Sequence, residues 1–553
     1  MSKFLKLVSL EGNHQLQVRF LMFVITGLYL FNFHVNDIWT PNESFYAEAV
    51  REMFESGNFL EIFYNYEPRY NKPPLTYWVI AASSAVFGLN EFGIRFPIVL
   101  MALGSIWFTY LLGKQLYGEK GGIYAMVMMA FSVQLLAVKQ YASPEIPLTF
   151  FFTLTMYYFI KGYQIRSTKY LMLSYVMLGL TVLTKGFPYI IVISGTIGLF
   201  ILLNNQFKWS QIWKDIKLMK LHLGIPLVLL IGLSWVIFMY LKNGNEFWEV
   251  YYRETFGRAL SKKTNGPKPF FYLEVISWSI LPYSLAFFFA LIKVIRNRVD
   301  FRKVLFPFCW FIVMLVIFTI AKGKIPTYMI QAHPAMLLMI VPLLLSYNPE
   351  KRLWKGLWSF VFLFPTILIV GANFVIVHQL KLPVALYLIP VASIALLVWF
   401  HFQKAVNKNH MLAAAPFWVM LGVLICFGSV MPRLEKFRPY DKMGIALAQR
   451  EEIDTKTPVL IEATLIHNVP YYTKRFAKRD ATVDSINTVR PEALALVREE
   501  SLSKLDNFES IWSGLIYDFP SESQFAKFIM ACIAAEDGDL SKFAKYHLVY
   551  RKP

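Results

Sequence analysis

Charged residues are scarce in this chain, and that scarcity excludes a soluble protein of its size. Asp, Glu, Lys and Arg make up 16% of 553 residues, against 56% hydrophobic, where soluble domains carry roughly a quarter charged residues. The mean hydropathy is +0.46. Cysteine is nearly absent: Cys309 and Cys426 lie in apolar runs and Cys532 in a polar tail, which excludes a disulfide framework. The nine histidines show no HExxH or other paired spacing, and no Asp-rich cluster or Walker-type Gly-Lys-Ser/Thr loop occurs. No metal ligand and no cofactor is therefore assigned, and cytosolic nucleotide use is unsupported. A requirement for a divalent metal stays open. No internal repeat is visible, which argues against a transporter built from duplicated halves.

Acidic residues are outnumbered 36 to 55 by basic ones, for a net charge of +19. Such a balance would admit a nucleic-acid partner, but the Lys and Arg sit in short loops between apolar runs, without a stacking-aromatic patch. Membrane topology accounts for them, and no nucleic acid is expected. Apolar runs long enough to cross about 30 Å of hydrocarbon recur to about Val430 and then stop. We place spans at 17–33, 94–116, 121–139, 144–163, 170–184, 187–204, 222–241, 269–294, 304–321, 326–346, 355–378, 383–402 and 411–430. The N-terminal basic segment and first run read as a retained signal anchor. Leu75–Leu89, short and preceded by Pro73-Pro74, reads as an interfacial helix.

Lys and Arg cluster in every second connection, as in Lys114/Lys120, Lys161/Arg166/Lys169 and Lys208/Lys214/Lys217/Lys220, which makes that side and the N-terminus cytoplasmic. The connections 34–93 and 242–268 and the tail 431–553 then lie on the opposite side. The 242–268 connection carries Lys242, Arg253, Arg258, Lys262, Lys263 and Lys268 against this bias, as an anion-binding loop would. In the tail, Pro458–Ala463 reads as a strand and Glu522–Ala534 as a helix, so a small α/β domain is expected.

The stretch that carries most chemistry is Pro41-Asn42-Glu43-Ser44-Phe45-Tyr46-Ala47-Glu48, followed by Asn71-Lys72-Pro73-Pro74. Carboxylates and a lysine crowd one membrane face, where an enzyme acting on a charged lipid-linked substrate needs a base and a phosphate partner. Asn42 and Glu43 could orient or deprotonate an acceptor, or could merely open a surface helix ending near Gly57. Glu145, after Tyr141-Ala142-Ser143-Pro144, is a second acid candidate or a first-turn residue behind its proline. Lys72, Arg258, Lys185 and the run Lys322-Gly323-Lys324-Ile325-Pro326-Thr327-Tyr328 fall on the same side and suit a phosphodiester whose leaving group gains charge. The alternative for these cations is snorkelling at the interface.

Together, in this order, Asn42 to Glu48, Lys72-Pro73, Thr184-Lys185-Gly186-Phe187, Glu254 to Tyr272 and Ala321 to Tyr328 resemble the membrane glycosyltransferases of the aminoarabinose transferase and protein mannosyltransferase superfamily. The bacterial aminoarabinose transferase branch is the more similar. The resemblance covers roughly residues 17–430. It implies a polytopic α-helical C-type glycosyltransferase fold of about 13 transmembrane helices, with a soluble non-cytoplasmic C-terminal α/β domain, in the inner membrane. It implies transfer of a sugar from a polyprenyl phosphate carrier to a lipid A-like, glycan or protein acceptor. By resemblance, Lys72, Arg258 and Tyr328 hold the carrier phosphate, Lys322, Lys324 and Lys185 add positive field, and Glu43 and Glu145 line the acceptor side. The family usually has Asp-Glu where this chain has Asn42-Glu43, and often Asp where it has Glu145. A hydroxyl acceptor would then need a glutamate as base, whereas a phosphate acceptor has no proton to lose. A transporter or flippase of polyprenyl-linked sugars is the rival class.

Overall fold

The computed structural model describes the chain except residues 1–12, 258–268, 297–299, 347–351, 384, 387, 389–415, 417, 418, 463–465, 519–521, 523 and 553. Most of it is helical, and one apolar core takes in buried residues from Val18 to Phe543, most of them in the helices before Val430. Among the described residues, Glu91–Ala130, Phe301–Ile320 and Pro326–Leu345 are long and apolar enough to cross a membrane, and the pair Leu221–Gly232 and Ser234–Thr255, bent by 50°, makes a fourth. The span expected at 383–402 lies almost entirely outside the described residues, as does the start of that at 411–430.

Local chemistry explains where helices break. Glu91–Ala130 folds back on itself at Gly118, whose φ of 77° suits glycine alone among common residues. The two arms then pack closely, for a Cβ on Gly122 would meet the Tyr110 carbonyl oxygen at 2.8 Å. The run expected at 121–139 is interrupted at Ser132, whose backbone is extended (ψ 128°). Its hydroxyl donates to the carbonyls of Met128 and Met129 at 2.8 and 3.1 Å, closing the preceding helix. The run at 269–294 splits into Phe271–Ser279 and Ser284–Ile295 around Pro282, which cannot continue the hydrogen-bond ladder. The 242–268 connection is not a loop over its first part: helix Ser234–Tyr252 and a π-turn Arg253–Gly257 run through it. Lys242, read as part of an anion-binding loop, is paired with Glu61 at 2.7 Å.

Within 34–93, helix Asn42–Ser56 ends at Gly57 (φ 70°), and a small hairpin, β1 (Phe63–Tyr64) with β2 (Glu67–Pro68), leads to helix Leu75–Phe87. The C-terminal domain is a five-stranded sheet of β3 (Val459–Glu462), β4 (Ala477–Ala481), β5 (Ala493–Arg498), β6 (Glu509–Tyr517) and β7 (Phe543–Arg551), in the order β4-β3-β5-β7-β6. β3 is parallel to β4 and β5, and β7 is antiparallel to β5 and β6. Val459, Ile461, Leu494, Leu496 and Leu548 pack on one face and the alternate residues Leu460, Ala495, Val497 and Val549 on the other, so the central strands are buried on both sides of the pleat. Helix Phe525–Glu536 instead packs toward the bundle, with Phe528 and Cys532 in the main core.

Candidate active site

Residues Asn36–Ser44 form a strap between the bundle and the sheet domain. Arg95, 1% exposed, donates to the carbonyls of Asn36 and Asp37 at 2.5 and 2.9 Å. The same guanidinium grips Glu43 in a fork, Nε to Oε1 at 2.9 Å and Nη2 to Oε2 at 2.8 Å. Glu43 also accepts the N–H groups of Trp39 (2.8 Å) and Ala142 (3.0 Å). Fully buried, with four donors on two oxygens, Glu43 has its hydrogen-bonding capacity filled. It ties the strap to the segment that ends in Glu145.

Glu145 opens helix Glu145–Gln164 and meets Lys185, the last residue of helix Thr168–Lys185, at 2.8 Å. The Lys185 ammonium stands 4.9 Å from the centre of the Tyr328 ring, within cation–π range. Gly186, at φ 109°, turns the chain directly after Lys185. These groups face a cavity of about 400 Å³. Asn42, Lys72, Glu145, Lys185 and Tyr328 line its polar part, and Ile191, Val192, Ile317 and Phe318 give it an apolar wall.

Five of the residues singled out by sequence are thus brought together. Asn42 lines the cavity and is the first residue of its helix, without capping it: the preceding position is Pro41, and no side-chain cap bond forms. Glu43 does not line it. Lys324, expected to add positive field, is 5% exposed and donates to the carbonyls of Thr319 and Ala321 at 2.6 and 2.7 Å. It caps the end of helix Phe301–Ile320, using carbonyls that have no intrahelical partner. Lys322 is exposed and absent from the lining, and Arg258 lies outside the described residues.

Two further charged residues line the cavity: Glu254, which opens the stretch Glu254 to Tyr272 noted in the sequence, and Arg69, which no motif marks. Arg69 stacks on the Phe45 ring at 3.8 Å, and its buried Nε has no hydrogen-bond partner among the described residues. The available signal was position alone, three residues before Lys72. Behind Phe45 stands His467 of the sheet domain, 4.9 Å away between ring centres, with its Nδ1 2.9 Å from the Tyr64 hydroxyl. Burial first, then the charges of Arg69 and Arg479, pull His467 down to about 4, so the ring is neutral at pH 7. Among the described residues, no group of three or more His, Cys, Asp or Glu side chains is placed to hold a metal ion.

Comparison with known proteins gives this geometry a family. Residues 71–238 match the family described as dolichyl-phosphate-mannose-protein mannosyltransferase. An uncharacterized protein of Aquifex aeolicus (strain VF5) is 32% identical over 507 residues, 91% of this chain and 94% of its own. The undecaprenyl phosphate-alpha-4-amino-4-deoxy-L-arabinose arabinosyl transferase 2 of Proteus mirabilis (strain HI4320) is 27% identical over 436 residues, 74% of this chain and 75% of its own. The chain belongs to the aminoarabinose transferase-like branch of the protein mannosyltransferase superfamily. Members of that superfamily are polyprenyl-phosphate-sugar glycosyltransferases. Its fold is that of ArnT from Cupriavidus metallidurans, solved bound to undecaprenyl phosphate: the TM-score is 0.76 at 17% identity, over 96% of this chain and 97% of that one. The glycosyltransferase is therefore a polytopic membrane protein.

Proposed function

We propose that this glycosyltransferase moves a sugar from a polyprenyl phosphate carrier to a lipid A-like, glycan or protein acceptor at the outer face of the inner membrane, inverting the anomeric centre. About thirteen spans would cross the membrane, with the N-terminus cytoplasmic and the cavity and sheet domain on the opposite side. The observation that carries the reading is the cavity itself, where cations, a carboxylate and a tyrosine hydroxyl meet an apolar wall. A prenyl chain suits Ile191, Val192, Ile317 and Phe318, while its phosphate suits Lys72, Lys185 and Tyr328. Arg258 belongs with these three by sequence.

The acceptor oxygen forms a bond to sugar C1 as the C1–O bond to phosphate breaks, and the electron pair leaves with the phosphate. Lys72 and the Tyr328 hydroxyl stabilise the charge that develops there. Lys185 contributes less than an unpaired lysine would, because Glu145 offsets it. Where the acceptor is a hydroxyl, Glu145 takes its proton, since Glu43 has no oxygen left to offer. Glu43 and Asn42 shape the acceptor side. A single displacement of this kind requires no covalent nucleophile.

The test is to incubate the purified protein with a panel of polyprenyl-phosphate sugars and a membrane acceptor extract. Release of polyprenyl phosphate in step with labelled acceptor supports the reading. Movement of the carrier across reconstituted vesicles without sugar transfer would overturn it in favour of a flippase.

A further inference from the structure

Both halves of the molecule hold the strap Asn36–Ser44, and the sheet domain holds it through one buried guanidinium. Arg438 is inaccessible to solvent. Its nitrogens donate to the carbonyls of Asp37 (3.1 Å) and Ile38 (2.8 Å), and its plane lies 3.7 Å from the centre of the Trp39 ring. Glu435 at 2.9 Å and Glu522 at 3.1 Å balance its charge. Neighbours complete the grip: Thr40 N–H donates to Glu522, Asn468 Nδ2 donates to the Ile38 carbonyl at 2.7 Å, and Ile38 N–H donates to the Tyr472 hydroxyl at 2.8 Å.

We propose that Arg438 is a positioning residue of the transferase site, so that the C-terminal domain sets the acceptor side of the cavity from a distance. The inference rests on the cavity being the active site. Among the described residues, Arg438 bonds to no residue of the cavity lining, yet the backbone it holds, Asp37 and Ile38, leads to Asn42 on the cavity wall, four residues after Ile38. Next in line, Glu43 binds the Ala142 N–H, three residues before Glu145. Arg95 holds the Asp37 carbonyl from the bundle side and Arg438 holds the same oxygen from the sheet side. The strap is thereby fixed in depth. Lys185 and Tyr328, by contrast, sit on elements that Arg438 does not reach. Loosening Arg438 should therefore disturb acceptor attack and leave the carrier phosphate bound.

The experiment uses the full-length protein, with undecaprenyl phosphate as binding probe and undecaprenyl-phosphate-linked sugar plus membrane lipid extract as substrates. Arg438→Gln is expected to lower kcat about 10- to 100-fold, the scale of a small misplacement at a reacting centre. The Kd for undecaprenyl phosphate is expected to stay within about twofold, and Arg438→Lys should recover part of kcat because it restores the charge and one bond. An unchanged kcat, or a Kd that rises in step with the fall in kcat, would overturn the proposal. If Arg438→Gln does not fold, Asn468→Ala gives the same two readouts while sparing the guanidinium. Lys72→Met separates the two ideas. If it too leaves transfer intact, the active-site reading has failed; if it abolishes transfer while Arg438→Gln does not, only the positioning role has.

Discussion

Two carboxylate–cation pairs, one buried and one partly exposed, are linked through the segment Ala142 to Glu145, and they are built differently. Around Glu43 and Arg95 everything is closed: the carboxylate accepts four bonds and both side chains are 1% exposed or less. Around Glu145 and Lys185 the pair is single, with side chains 18% and 10% exposed, and both residues face the cavity. A saturated pair can only hold structure, because any proton or ligand it took up would have to displace a bond already made. A pair open on one side can exchange its partner for substrate. The more conspicuous acid of the sequence motif is bonded on both oxygens away from the cavity, and the less conspicuous one faces it.

The sharpest way to break this comparison is to neutralise each glutamate. Glu145→Gln is expected to lower kcat for a hydroxyl acceptor by about 10²- to 10⁴-fold with the melting temperature little changed. An unaltered rate with such an acceptor would remove Glu145 from catalysis. Glu43→Gln should do the reverse, costing about 3–5 kcal/mol of stability because it leaves Arg95 buried without its counter-charge. Denaturant or thermal unfolding in detergent measures this, and a stable but inactive Glu43→Gln protein would return Glu43 to the role of base. Lys72→Met should reduce transfer by about 10²- to 10³-fold, the usual loss of one donor to a developing anion, and should weaken undecaprenyl phosphate binding. Lys324→Met, in contrast, should cost about 1–2 kcal/mol in stability through its lost cap bonds, with the carrier Kd unchanged.

The smallest effect is in pH. His467 is held down at about 4 in the folded protein, against about 6.5 when unfolded. The folded state thus binds fewer protons between those values, so its contribution is present above about 6.5 and is lost as the pH falls toward 4. His467→Gln should flatten the acid side of the melting-temperature profile. A profile identical to wild type between pH 6.5 and 4 would show that the ring is not held neutral.

Much of this protein is legible from local pattern. The apolar runs anticipate most of the helices, Gly57 ends its helix with a positive φ, and the strand expected at 458–463 runs over Val459–Glu462. Lys72, Glu145, Lys185 and Tyr328 could be picked out because lysines, a tyrosine and a carboxylate at span ends are chemically exceptional. Short-range pattern could not reveal who pairs with whom. Glu43 and Lys324 looked like available charges, and each is consumed by partners: Arg95, 52 positions from Glu43, and two helix-end carbonyls beside Lys324. Lys242 likewise looked like part of a loop, but it lies on a helix just before a kink at Gly244, and Glu61, 181 positions away, takes the charge.

The sequence by itself determined that this is a membrane protein with a polar C-terminal domain, and which residue types could serve a charged lipid carrier, because hydrophobic length and residue chemistry are local properties. Only the tertiary structure decided which charges stay open to a cavity and which are spent on the frame. Arg438 reaches Asp37 across 401 positions, and a contact of that span depends on how the bundle and the sheet domain pack, a geometry that no spacing along the chain records.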